Sequence, residues 1–137
     1  MTSLKVVLDM PVIMPMKKVK DKRISIGMNW YCNAHHMVKN NVKKQVKEYV
    51  RQYLEETGQD KIHFTEPVKV TFKYYKKTAI RTDTSNFFAV GSKFVYDALV
   101  ELGVLPDDDS EFIVHEQQLQ TVKDASHPRM EFLFKTV

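Results

Sequence analysis

The side chains best suited to chemistry are an aspartate at position 83 and three more in a row, Asp107, Asp108 and Asp109. Carboxylates without thiolates suit a hard cation such as Mg²⁺ or Mn²⁺, which takes oxygen ligands. Between the two sets lies a stretch in which Phe87, Phe88, Gly91, Phe94, Val95, Ala98, Leu99 and Leu102 recur at steps of three and four. That is the helical period. Asp83 and Thr84 are residue types that cap a first turn, Gly103 one that closes a last turn, and Pro106 prevents resumption. The residues alone leave a plainer reading open, in which Asp83 is a cap and the triple aspartate a solvated turn.

A helix of this length holds its two acidic ends about 28 Å apart. Asp83 and Asp107 therefore cannot share an ion along one straight helix. Either two such helices pack antiparallel across a two-fold axis, or the chain after Asp109 folds back along the helix.

Basic residues cluster in three places. Lys17 and Lys18 belong to a proline-containing arm, expected to be a loop or loose hairpin. Lys39, Lys43, Lys44 and Lys47 share one face of an expected helix. Lys76, Lys77 and Arg81 lead up to Asp83. Each cluster reads either as a solvated surface or as a phosphate-facing one. His35 and His36 are adjacent, so on a helix they diverge by about 100° and do not share an ion; a polar cap region suits them better.

The 137 residues suit one domain, spanning 1–137, with 43% hydrophobic and 28% charged residues. A net charge of +4 is compatible with nucleic acid without demanding it. A single cysteine, Cys32, excludes an internal disulfide and a thiolate zinc site. No apolar run is long enough for a membrane span, and no secretory signal pattern opens the chain. Together these point to a cytoplasmic protein with no membrane partner.

In chain order the pattern predicts a strand at 4–10, a short strand at 24–29, and a long helix from 34 to 56 capped by Asn33 and stopped by Gly58. A strand follows at 68–75, with Val68, Val70, Phe72 and Tyr74 facing the core. After the helix around 84–102 come strands within 111–115, 118–123 and 130–137. This order predicts an α+β fold, a mixed β-sheet with two main helices packed on one face. The apolar surface around Phe87, Phe88 and Phe94 exceeds what two helices need, which leaves some of it for an interface.

The pattern Arg81-x-Asp83-x-x-Asn86, then Lys93-x-x-x-Asp97-Ala98-Leu99, then Gly103 and Asp107-Asp108, resembles the core of the RusA-like Holliday junction resolvases. The run Ile26-Gly27-Met28-Asn29-Trp30-Tyr31, followed by Asn33, His35 and Lys43, is similar to their N-terminal segment. Together the likeness spans about residues 24 to 116.

The resemblance implies a homodimeric, Mg²⁺-dependent crossover junction endodeoxyribonuclease of phage or prophage type. Such a hydrolase acts on four-way junction DNA in recombination and repair. Asp83, Asp107 and Asp108 would hold Mg²⁺ (or Mn²⁺), Asn86 would position a ligand or water, and Lys93 would stabilise phosphate charge. Lys17, Lys18, Lys39, Lys43, Lys44, Lys47, Lys76, Lys77 and Arg81 would meet DNA. One position departs from the family's usual Asp-x-Asp-Asn: here it reads Asp83-Thr84-Ser85-Asn86. Ser85 offers a hydroxyl without a charge. The alternative is therefore a weakened or inactive dimeric protein that binds branched DNA on the same fold.

Overall fold

The computed structural model describes residues 4–11, 13–15, 23–77 and 84–137. The elements run β1 (Lys5–Met10), β2 (Ile13–Pro15), β3 (Arg23–Ser25), α1 (Met28–Asn33), α2 (His36–Glu56), β4 (Val68–Lys76), α3 (Thr84–Glu101), β5 (Ile113–Gln118), β6 (Val122–Lys123) and β7 (Arg129–Thr136). The fold is α+β, with a mixed sheet and three helices, two of them long.

Alternating side chains build the sheet. Strand order is β1-β7-β4-β5, with β6 also on β4; β7 runs antiparallel to both its neighbours, and β5 and β6 run parallel to β4. Because strand side chains alternate faces, Val6, Leu8 and Met10, then Met130, Phe132 and Phe134, then Val68, Val70, Phe72 and Tyr74, all point to one side and are buried. There they join Val42, Val46, Val50 and Leu54 of α2 and Val90, Phe94, Val95, Ala98 and Leu99 of α3 in one core. α2 lies against β1, α3 against β4, and the two helices against each other. The other face of the sheet carries no helix among the described residues.

Phe87 stacks on Tyr74, Phe88 meets Phe72, and Phe94 meets Trp30 and Tyr31. Of the apolar surface expected to be spare for an interface, Phe87 and Phe94 are thus buried within one chain, while Phe88 stays partly exposed. α3 also comes unusually close to β7 at Gly91, where a Cβ would sit 2.8 Å from the Met130 sulfur.

Both long helices end as their glycines predict. Gly58 and Gly103 have φ of 72° and 79°. In each case the next residue's N–H reaches back to close the helix, Gln59 to the Leu54 carbonyl and Val104 to the Leu99 carbonyl. Gln59 then does a second job. Its side chain accepts from the Val7 N–H at 2.7 Å and donates to the Val7 carbonyl at 2.8 Å, covering the free edge of β1.

Two expectations need correction. The short strand expected at 24–29 ends at Ser25, and Met28–Asn33 is a helix. Asn33 is therefore the last residue of α1, and His35 caps α2, its Nδ1 accepting from the Met37 N–H at 3.2 Å. The rings of His35 and His36 lie 4.2 Å apart, in the cap region expected for them. The proline arm does pair, β2 with β3 antiparallel.

Candidate functional site

The closure of α3 decides where the aspartates go. After Gly103 the chain turns back, and Val104 and Leu105 are buried. Asp109 then accepts from the N–H groups of Glu111 and Phe112 and so holds the turn into β5. One Asp107 oxygen accepts from the Asp108 N–H at 2.7 Å. The triple aspartate thus divides its labour: Asp109 shapes the turn, Asp107 ties down the backbone, and the Asp108 carboxyl is left for other partners.

The charges that act on it most are on α3. Lys93 and Asp97 are four residues apart and share a helical face. Desolvation, followed by the charge of Asp97 and then the Asp107 carboxyl, raises Asp108 above the ordinary aspartate value. Lys93 is raised as well, first by hydrogen bonding with the Tyr31 hydroxyl and further by the charges of Asp97 and Asp108. The turn after Gly103 thus leaves Asp108 within electrostatic reach of Asp97 and Lys93, while Asp83, which either expected route would bring to it, lies outside the described residues.

α1 supplies the next layer. Trp30 and Tyr31 pack on Phe94 with ring centroids 6.1 and 6.2 Å away. This seats Tyr31 between two lysines, with the Lys39 Nζ 4.2 Å and the Lys93 Nζ 5.5 Å from its ring centroid, within reach of cation–π attraction. On the sheet side the Tyr96 hydroxyl donates to Glu116 Oε2 at 2.7 Å. Burial, this bond and the Asp108 charge push the Tyr96 phenol far up, so it stays a neutral donor. Register explains the meeting: Glu116 pairs with Val70, so it points to the helix side of the sheet.

The expected site residues divide accordingly. Lys93, Asp107 and Asp108 come together, joined by Asp97, Tyr31, Tyr96 and Glu116, whose roles the sequence reading missed. Lys17, Lys18, Arg81 and Asp83 lie outside the described residues. Ser85 and Asn86 are in the first turn of α3, and their side chains lie outside the description. Lys43 and Lys47 turn toward α3: Lys43 Nζ is 3.8 Å from Asp97 and 3.4 Å from Glu101, and Lys47 Nζ is 3.3 Å from Glu101. Lys44 and Lys77 are exposed, and Lys76 ends β4, its carbonyl accepting from the Asp124 N–H.

Carboxylate oxygens are the donors a hard divalent cation takes, and the charge of Asp97 acts on Asp108, while Lys43 lies 3.8 Å from Asp97. Among the described residues no group of three His, Cys, Asp or Glu side chains is arranged to hold a metal ion. No helix among the described residues is long and apolar enough to cross a membrane. No protein-family model matches this chain, and no curated protein matches it significantly.

Proposed function

We propose that this protein is a structure-selective endodeoxyribonuclease that resolves four-way and other branched DNA junctions by Mg²⁺-dependent phosphodiester hydrolysis. The observation that carries the proposal is that Asp108 lies in the electrostatic field of Lys93 and Asp97, three residues of the motifs that resemble the RusA-like resolvases. Asp107 and Asp108, with Asp83 from beyond the described residues, would hold the ion. When bound, it supplies Lewis-acid chemistry to the hydrolysis. Lys93 offers its ammonium to the scissile phosphate, and the Tyr31 hydroxyl positions that ammonium. Tyr96 keeps Glu116 engaged on the sheet side of the cluster. The likeness also implies a homodimer, whose two sites would face two symmetry-related strands.

A binding-only reading remains the second choice, and one observation favours it: Lys93 and Lys43 already balance Asp97 and Asp108 without a metal, while Ser85 brings no charge. A cleavage assay on a four-way junction and a linear duplex, with Mg²⁺ or Mn²⁺ titrated in, tests the choice. The nuclease reading expects junction cleavage that Asp108→Asn abolishes while junction binding survives. Ser85→Asp should lower the metal concentration required. Cleavage by Asp108→Asn at the wild-type rate would defeat the assignment, and an inert wild type activated by Ser85→Asp would support the binding-only reading.

A further inference from the structure

The uncovered face of the sheet carries a straight row of like charge. Lys5 of β1 stands opposite Lys135 of β7, and Lys135 stands opposite Lys69 of β4. On β5 the partner of Lys69 is His115, which continues the row. Adjacent strands are about 4.8 Å apart, so three ammonium groups are strung over roughly 10 Å. Like charges directly opposite one another destabilise a sheet. Among the described residues none of the three lysines has an ion-pair partner. The nearby Glu131 is taken by Arg129, which also binds Asp124.

Beside this row lies a hollow of about 270 Å³. Val7, Leu133, Leu119 and Thr71 line it, with Lys73 and Glu131 also on its wall. Val7 and Leu119 are 39% and 38% exposed, high for apolar side chains in a sheet. Lys5 of the row also lines the hollow, so an apolar floor edged by two ammonium groups and a carboxylate suits a planar heterocycle, and the cationic row suits the phosphates that carry it.

We infer that this sheet face is a docking surface for single-stranded nucleic acid, the lysine row on the phosphates and an unstacked base in the hollow. It lies on the side of the sheet opposite the Asp97–Asp108 cluster, and stands apart from the cleavage proposed there. A second copy of the chain stacked with its two-fold axis along the strands would superpose the lysine rows; with the axis across them it would set Lys69 against Lys73 but Lys5 against Asp9 and Lys135 against Glu131, and the sedimentation outcome below tells that arrangement from nucleic acid.

The test is fluorescence anisotropy of a labelled oligothymidylate with EDTA present, so that cleavage plays no part. Three phosphate contacts predict a slope of log affinity against log salt near about −2, and Lys69→Gln with Lys135→Gln should bring it to about −0.7 with affinity about tenfold weaker. The same double variant should melt at a higher temperature in low salt, since it relieves cross-strand repulsion, and that shows the loss is not misfolding. An unchanged slope, equal binding of a duplex with the same losses, or a dimer that the variants alter in sedimentation would each overturn the inference. An Asp108→Asn protein that neither cleaves nor loses oligothymidylate binding supports it, and the failure of either proposal can be told from that of the other.

Discussion

Asp108 sits where partial desolvation and a neighbouring carboxylate both oppose its ionisation. Its folded pKa is raised, so the folded state holds this proton more tightly than the unfolded chain does. The resulting contribution to stability is fully present below 3.8, the ordinary aspartate value, and is lost as pH rises through the folded value. Asp97→Asn should move the Asp108 titration back down, measurable by carboxyl carbon NMR, and should flatten that part of the stability–pH curve. Lys93 should move down in the same variant, because Asp97 is one of the charges holding it up. A Lys93 titration that does not respond would mean its elevation comes from Tyr31 alone.

At the scale of elements, the closures of α2 and α3 were legible because only a residue free of Cβ strain sits easily at φ of 72° or 79°. The alternation of Val68, Val70, Phe72 and Tyr74 was equally legible, since a sheet with one covered face demands period two. α1 was not. Six residues are too few to show a helical period, and what holds them is Trp30 and Tyr31 packing on Phe94, a contact distant in sequence. Asp97 stood in the resembling motif without a role, because nothing in the sequence shows that its charge acts on Asp108. Glu116 was hidden by a strand with a single buried residue, Ile113, so its face follows from pairing with β4 rather than from its own pattern. Gly91, noted as part of an apolar helical stripe, turns out to be the point where α3 approaches β7. Gly91→Ala gains about 1 kcal/mol of helix propensity but drives a methyl into Met130, an overpacking cost of about 1–3 kcal/mol. The expected net loss is roughly 1 kcal/mol by urea unfolding, and with Met130→Ala the pair should cost less than the sum of its parts.

For the whole molecule, the link between α2 and α3 is partly ionic, and its lysines are also the ones expected to meet DNA. Lys43, Lys47 and Glu101 are each about 40% exposed, so the pairs are worth no more than about 1 kcal/mol together and fade with salt. Glu101→Gln should therefore cost little in stability while freeing the Lys47 ammonium and leaving Lys43 with Asp97 alone. If α2 faces DNA, the variant binds a four-way junction more tightly than wild type; unchanged affinity would place Lys43 and Lys47 in the helix pair alone. A separate spot bears on aggregation, the outer edge of β1. Its unpaired backbone groups at Val7 would be a template for a strand from another molecule, and the Gln59 amide occupies both. One side chain thus stands in for a missing strand. Gln59→Ala should leave the monomer folded yet prone to ordered aggregation, detected as thioflavin fluorescence that grows with protein concentration. In that variant the fold would survive while the strand edge that Gln59 shields lay open.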